Sequence, residues 1–227
     1  MCGRFTLRTP TPVLIEHFGL GRIPALPARF NIAPMQQVAA VRQAPDAEAR
    51  ELVMLRWGLV PSWAKDTNNA ARLINARSET VAEKPSYRHA VRRQRCLIPS
   101  DGFYEWKKTG REKQTFHIQM ADGSLFAMAG LWERWRPDEK LPPLETCTIL
   151  TTEPNELMQG IHDRMPVILP PEAYATWLDP QFEAYDALQE LFRPFPADAM
   201  AAEPIGSYVN SVQHEGPQCL ERQRSLF

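Results

Sequence analysis

The amino-acid sequence predicts an α+β fold: a single domain over residues 1–227, built on a mostly antiparallel, barrel-like sheet with short helices packed around it. Apolar runs bounded by turn-forming residues are short and numerous, and a few helical segments lie between them. The 21 prolines are scattered along the chain, which disfavours long helices. No internal repeat or low-complexity linker divides the sequence, so one domain accounts for all of it.

The strands are predicted where apolar residues lie between turn signals. Thr109-Gly110 joins two of them into a hairpin, and Ala121-Asp122-Gly123 forms the turn before the next strand. The predicted strands cover residues 37–42, 51–57, 96–98, 102–108, 114–119, 125–131, 146–150, 165–169 and 205–209.

The helices are predicted from capping residues and prolines. Thr11 followed by Pro12 reads as an N-cap with proline at the first helical position, and this helix ends near Gly19. Ser78 is a candidate cap for a helix over 78–84, and Pro85 opens a second helical piece over 85–94. Further helices are predicted over 172–178 and 181–192, and residues 136–145 are expected to form a surface loop.

The composition is that of a soluble globular protein, with 44% hydrophobic and 23% charged residues. The sequence shows neither a signal peptide nor the ~18 uninterrupted apolar residues of a membrane span, which predicts a cytoplasmic protein with reduced cysteines. The four cysteines have no CxxC spacing and the five histidines form no close pair, so neither a metal site nor another cofactor is expected. Cys96 and Cys147 lie in apolar runs and are predicted core residues.

Positive charge is concentrated in the middle of the chain. Residues 71–113 hold 11 Lys and Arg against 5 Asp and Glu, a local charge of +6, and the remainder is therefore −7 because the total is −1. Such a band can bind phosphates, although its arginines at 88, 92, 93 and 95 can equally well solvate a helix face.

Cys2 is the first candidate for chemistry, because a small residue after the initiator methionine usually permits removal of Met1. An N-terminal cysteine carries an α-amine and a thiol on adjacent carbons, and together they can close a thiazolidine ring on an aldehyde. The second attack is intramolecular and therefore gains a large effective concentration. The alternative is an inconsequential, frayed chain end.

Other polar residues are candidates with structural alternatives. Strand alternation places Glu105 on one face with Phe103 and Lys107, away from Tyr104 and Trp106, which are expected in the core; Glu105 either exchanges protons or pairs with a lysine at the surface.

His162 precedes an apolar strand and can transfer protons near pH 7, and Arg164 offers a fork for a phosphate. A loop histidine can also be merely exposed or structural. Asn75 and Arg77 share a face, where they can hydrogen-bond an amine and clamp a phosphate. Trp57 and Trp63 can stack on unpaired bases or fill the core.

The same segments, taken in order, resemble the SOS response-associated peptidase (SRAP) family of abasic-site DNA–protein crosslinking proteins. A weaker similarity follows at 208–210. The matching residues are Met-Cys-Gly-Arg-Phe at 1–5, Phe-Asn-Ile-Ala-Pro at 30–34, Trp-Gly-Leu-Val-Pro-Ser-Trp at 57–63, Ile-Asn-Ala-Arg-Ser-Glu-Thr at 74–80, Asp-Gly-Phe-Tyr-Glu-Trp-Lys at 101–107 and Ile-His-Asp-Arg-Met-Pro at 161–166.

The resemblance implies a compact, SRAP-like α+β domain, expected to be monomeric, that reacts with abasic sites in single-stranded DNA and is associated with the nucleoid when bound to it. Cys2 would form the thiazolidine and Asn75 would hold its amine. Glu105 would shuttle protons during formation and reversal, and His162 would assist sugar-ring opening. Arg4, Arg77 and Arg164 match positions that would meet backbone phosphates.

The sequence departs from the family pattern at two places. Members often carry a basic residue where this chain has Pro85, and Lys84 or Arg88 would have to supply that contact. Residues 64–71, where members place an aromatic wedge, contain no aromatic residue, which makes Trp63 the candidate substitute. Two other functions stay open: a thiol peptidase or N-terminal-nucleophile hydrolase limited to autoprocessing, and a non-catalytic module that binds single-stranded DNA.

Overall fold

The computed structural model describes residues 2–43, 49–110 and 112–222. Their thirteen strands confirm the predicted α+β class with its barrel-like sheet. The strands are β1 Phe5–Leu7, β2 Arg29–Ile32, β3 Gln37–Gln43, β4 Arg50–Trp57, β5 Asn75–Arg77, β6 Arg95–Ser100, β7 Gly102–Thr109, β8 Glu112–Met120, β9 Phe126–Trp135, β10 Leu144–Thr152, β11 Met165–Pro166, β12 Ile168–Leu169 and β13 Met200–Ile205.

The helices of the described residues are short. The α-helices are α1 Thr11–Phe18, α2 Ala90–Arg93, α3 Glu156–Gln159, α4 Tyr174–Leu178 and α5 Tyr185–Gln189. Six 3₁₀ turns cover Ala70–Arg72, Pro171–Ala173, Glu190–Phe192, Ala197–Ala199, Ser207–Asn210 and Pro217–Leu220. No helix in this part of the chain has the length and apolar character that crossing a bilayer requires.

Two sheets form the framework. One has the strand order β13-β8-β7-β1-β2, and the other runs β11-β10-β4-β3-β6-β9-β12. Because β9 also pairs with β10, strands β10, β4, β3, β6 and β9 close into a barrel. Most pairings are antiparallel, whereas β10 runs parallel to both β4 and β5. The parallel pair with β5 places Asn75 opposite Ile149 of β10.

The core follows from alternation along these strands. Trp57, Cys96 and Cys147 are fully buried, as predicted for the two cysteines. Strand β7 is buried on both faces at its start, with Phe103 in the main core and Tyr104 in a smaller cluster. The predicted burial of Tyr104 is confirmed, since β13 and the chain after it cover that side. The opposite face, with Phe103, is also buried, which was not predicted.

Several predicted elements differ from the structure. Residues 78–89 form successive turns instead of two helices, and only Ala90–Arg93 is α-helical. Pro85 has no N–H to donate, and the Ser78 amide bonds to the Thr151 carbonyl, which extends the pairing of β5 with β10 by one residue. The predicted helix over 181–192 is reduced to α5 and a 3₁₀ turn.

Two predicted strands are placed differently. The late strand covers Met200–Ile205, where it pairs in register with β8, and Ser207–Asn210 is a 3₁₀ turn. The strand over 165–169 divides at Val167, whose N–H bonds to Leu150 of β10 and whose carbonyl accepts from Ala129 of β9. The chain changes partner at this point because β9 and β10 are themselves neighbours.

Gly102 is required by a close approach at the start of β7. A Cβ atom at this position would lie 2.1 Å from Nε2 of His117, which is buried and packs against Tyr104 with ring centroids 5.1 Å apart. We expect Gly102→Ala to lower the free energy of unfolding by about 3 kcal/mol through overpacking, measured by urea denaturation. Gly21→Ala is the control, since nothing lies within 4 Å of its Cβ position. Equal midpoints for the two variants would contradict this packing.

Candidate active site

Pairing of β1 with β7 brings Cys2 to Glu105. Phe5 lies opposite Phe103, and the bond from the Tyr104 amide to the Arg4 carbonyl (2.9 Å) continues the ladder. Extending the antiparallel register by two residues places Glu105 opposite position 3, beside Cys2. The structure therefore joins two residues that are about a hundred positions apart in the sequence.

Cys2 and Glu105 are both removed from water, with exposed fractions of 0% and 2%. Burial, with a smaller contribution from the nearby Glu105 carboxylate, raises the pKa of the Cys2 thiol to about 12, so the thiol is neutral at pH 7. Burial also raises the pKa of the Glu105 carboxyl, against the opposing effect of His162. The alternative of a surface glutamate paired with a lysine is wrong.

His162 approaches Glu105 from the segment between α3 and β11. Its Nε2 lies 3.9 Å from Glu105 Oε2, and its Nδ1 accepts a hydrogen bond of 3.0 Å from the Arg164 amide. That donor leaves the proton of the neutral ring on Nε2, directed at Glu105. Asp163 Oδ1 lies 2.8 Å from the same Nδ1. The Nδ1 side of the imidazole therefore faces its own loop, and the Nε2 side faces Glu105.

Asn75 completes the group around Cys2. Its Nδ2 donates to the Cys2 carbonyl at 2.8 Å, while its Oδ1 is buried without a hydrogen-bond partner in the described part of the chain. Tyr87 hydroxyl donates to the Asn75 carbonyl at 3.2 Å and so fixes its backbone. Tyr87 was not predicted from sequence, because nothing in the turns that contain it marks a site. An amide oxygen without a donor, close to the N-terminal strand, can accept a hydrogen bond from an amine.

The three arginines expected at phosphates have different environments. Arg4 is 9% exposed, and its Nη1 donates to Asn31 Oδ1 (2.6 Å) and the Val209 carbonyl (2.9 Å), so its guanidinium supports the fold from within. Arg77, in contrast, is exposed on β5. The phosphate role predicted for Arg4 therefore has no exposed guanidinium to support it, whereas that of Arg77 has one.

Arg164 forms a two-pronged ion pair with Glu79, at 2.5 and 2.9 Å, and also donates to the Thr151 carbonyl at 2.5 Å. Partial burial opposes ionisation of Glu79, but the hydrogen bonds from Arg164 prevail and lower the pKa of its carboxyl. Glu79 was missed as a partner in the sequence because pairing across 85 positions leaves no local pattern. The pair ties the His162 segment to the segment that follows Asn75.

The remaining predicted contacts lie at the surface. Trp63 is 65% exposed and, with Lys65 and Arg72, lines a cavity of about 320 Å³, whereas Trp57 is in the core. Lys84 and Arg88 flank Pro85 and are both exposed.

Only part of the basic band at residues 71–113 lies at the surface. Arg95 is buried against the backbone carbonyls of Trp177 and Val91, so it neither solvates a helix face nor binds phosphate. Across residues 2–43, 49–110 and 112–222, no group of three His, Cys, Asp or Glu could hold a metal ion. Met1, whose removal the sequence predicts, lies outside the described residues.

Comparison with known proteins identifies the family. The family model described as "SOS response associated peptidase (SRAP)" matches residues 1–212. The chain belongs to the SRAP family. It is similar to abasic site processing protein YoqW of Bacillus subtilis strain 168, with 44% identity over 97% of this chain and 99% of that protein. Abasic site processing protein HMCES of Gallus gallus is 35% identical over 79% of this chain and 60% of its own length.

Solved structures support the SRAP fold. A protein from Bacteroides thetaiotaomicron superposes with a TM-score of 0.88 at 26% identity, covering 98% of this chain and all of that chain. The SRAP match, found from sequence, and the superposition, found from coordinates, agree over nearly the full length.

Proposed function

We propose that this protein is a single-domain, monomeric crosslinker that recognises abasic sites in single-stranded DNA, reacts with them through the N-terminal Cys2 after Met1 is removed, and shields the lesion. The observation that carries this is the convergence of Asn75, Glu105 and His162 on Cys2. The relatives named abasic site processing proteins support the class of lesion. Action would take place in the cytoplasm, at the nucleoid when DNA is bound.

The reaction is balanced without a metal or cofactor. His162 donates a proton to the ring oxygen of the abasic sugar while solvent water takes the proton of the anomeric hydroxyl, which opens the ring and exposes the aldehyde. The α-amine, with an unperturbed pKa of about 8, adds to that aldehyde and water leaves, giving a Schiff base. The Cys2 sulfur then adds to the same carbon, and Glu105 accepts the thiol proton. Aldehyde and aminothiol thus give thiazolidine and one water.

The residues suit these steps. A thiol whose pKa is about 12 must lose its proton during attack, and a carboxylate at its side can accept it. Asn75 holds the Cys2 carbonyl and offers Oδ1 to the amine. Reversal uses the same groups, with Glu105 returning its proton to sulfur as the ring opens.

The proposal is tested by the mass of the product. The purified protein is mixed with single-stranded DNA carrying one abasic site, denatured and weighed intact, with a matched oligonucleotide lacking the lesion as control. We expect one adduct per protein, equal to the sum of the two masses less one water. Peptide cleavage without an adduct would favour the autoprocessing hydrolase, and dissociable binding alone would favour the non-catalytic module; either result would overturn the proposal.

Phosphate binding separates the roles of Arg77 and Arg4. Because Arg77 is exposed on the strand of Asn75, we expect Arg77→Ala to reduce the slope of log Kd against log salt by about 0.7 while leaving thermal stability unchanged. Arg4→Ala should instead cost about 2 kcal/mol of unfolding free energy, because it leaves Asn31 Oδ1 without its donor and the Val209 carbonyl with only the longer bond from Asn31 Nδ2. Fluorescence anisotropy and thermal melts measure the two effects. An unchanged salt slope in Arg77→Ala would remove it from the phosphate contacts.

A further inference from the structure

Residues 207–215 form a loop that is held from beneath by a buried asparagine. Nδ2 of Asn31, a side chain with 1% exposure, donates to the carbonyls of Ser211 (2.9 Å) and His214 (2.7 Å). Its Oδ1 accepts from Arg4, which in turn donates to the Val209 carbonyl. The loop is therefore fixed to β2 through Asn31 and to the residue before β1 through Arg4.

This loop displays a preformed aromatic surface. The rings of Tyr208 and His214 stack with centroids 4.0 Å apart and an interplanar angle of 13°. His214 Nδ1 donates to the Tyr208 carbonyl at 2.6 Å, which fixes the imidazole orientation. Tyr208 nevertheless stays 43% exposed, and it belongs to neither core cluster. A large ring that is rigid, stacked on one side and open to solvent is suited to receive another flat ring.

The loop of the stacked pair is also held to strand β7. Asn210 Oδ1 accepts a hydrogen bond of 2.8 Å from the indole of Trp106, which follows Glu105 on the opposite face of that strand. On the adjoining hairpin Lys107, Lys108 and Lys113 are exposed. Lys113 and Arg222 line a groove of about 580 Å³ together with Tyr208, and Glu112 and Glu221 line it as well. Cationic side chains beside an exposed aromatic ring are the combination that binds single strands, with lysines for phosphates and the ring for a base.

We propose that the Tyr208–His214 pair binds a nucleobase of the single strand that flanks the abasic site, outside the crosslinking centre itself. This inference rests on the proposed function, and it adds a base-stacking subsite to it. Stacking is tolerant of sequence because every base has a flat face, so the subsite anchors the strand and selects no particular base. It acts on binding and not on chemistry, since neither ring belongs to the group around Cys2.

The test uses the full chain and single-stranded oligonucleotides that carry a tetrahydrofuran lesion, which has no aldehyde and reports binding alone. 2-Aminopurine is placed at each flanking position in turn. We expect the wild-type protein to quench 2-aminopurine fluorescence at one of these positions. This quenching should be lost in Tyr208→Ala and retained in Tyr208→Phe. The Kd of Tyr208→Ala should rise about 10-fold, within the range for removing a base-stacking ring. Val212→Ala, on the same loop and 54% exposed, is the matched control and should bind like the wild type.

The outcomes separate this inference from the proposed function. With a true abasic site at saturating DNA, Tyr208→Ala should crosslink at the wild-type rate, because only affinity is changed. Wild-type affinity and unaltered quenching in Tyr208→Ala, in a protein that still crosslinks, would overturn the subsite and leave the crosslinker intact. A wild-type protein that quenches 2-aminopurine fluorescence but never crosslinks would support the subsite and exclude the crosslinking mechanism. Loss of affinity in Val212→Ala as well would assign the effect to the loop fold and overturn the stacking role.

Discussion

Replacing Cys2 with serine is expected to abolish the stable adduct with abasic single-stranded DNA, lowering the yield that survives denaturation at least about 100-fold. Serine keeps the α-amine, so the Schiff base still forms, but the poorly nucleophilic hydroxyl does not close the ring that makes the product persist. The measurement is intact mass after denaturation, at matched times and DNA concentrations. Serine is close to cysteine in size, so the fold is retained at this fully buried position.

Reductive trapping supplies the control for Cys2→Ser. Added cyanoborohydride should restore a covalent product in this variant, because it reduces the Schiff base to a stable amine. An unreduced adduct as abundant as in the wild type would exclude sulfur from the linkage. Protein molecules that retain Met1 should be inert in the same assay, since their Cys2 nitrogen is an amide; an adduct on those molecules would exclude the α-amine of Cys2.

The strands were largely predictable because their signal is local. Alternating apolar residues between turns identified β3, β4 and the β7–β8 hairpin, and Gly110 adopts the left-handed conformation that the turn requires (φ 64°). The short strands β1, β2 and β5 were not predicted. Each has three or four residues and is held by partners distant in sequence, which leaves no periodicity to detect.

Helix prediction failed where tertiary contacts replace helical bonds. Residues 78–89 contain good helix formers, yet Ser78 continues the pairing of β5 with β10, and Pro85 supplies no amide hydrogen for a helix that runs through it. In the resulting turns the Tyr87 hydroxyl reaches the Asn75 carbonyl. The predicted helices did not indicate this contact. Local propensity is a weak guide wherever a segment closes over a site.

In the candidate site, too, residue types were predictable from sequence whereas contacts between distant residues were not. Residue type and family resemblance singled out Cys2, Asn75, Glu105 and His162, and the structure brings all four together. Neither could show that Arg4 supports a loop from within or that Arg164 is paired with Glu79. Burial and partner choice decide whether an arginine is free for a phosphate, and both depend on contacts across the whole chain.

Replacing Glu105 with glutamine should slow both formation and reversal of the crosslink about 100-fold, the usual scale for removing a general acid–base group. Glutamine preserves size and hydrogen bonding in this 2%-exposed position but can neither accept the thiol proton nor return it. Because burial raises the pKa of Glu105, the wild-type rate of formation should fall as pH is lowered through that raised pKa, and the variant should lack this limb. Rates come from quenched time courses between pH 5 and 8.

The stability of Glu105→Gln should rise although its crosslinking rate falls. This difference separates a chemical role of Glu105 from a structural one. A carboxyl with a raised folded pKa binds more protons in the native state than in the unfolded chain, so its contribution to stability is lost as pH rises through that pKa. Glu105→Gln removes this loss and is expected to unfold at a higher temperature than the wild type at pH 7.5. Glu112→Gln, an exposed glutamate on the neighbouring strand β8, should change neither rate nor melting temperature. A Glu105→Gln protein that crosslinks more slowly and is also less stable would make Glu105 a packing residue. Slower crosslinking in a more stable protein instead fits a buried carboxylate that transfers a proton in the reaction.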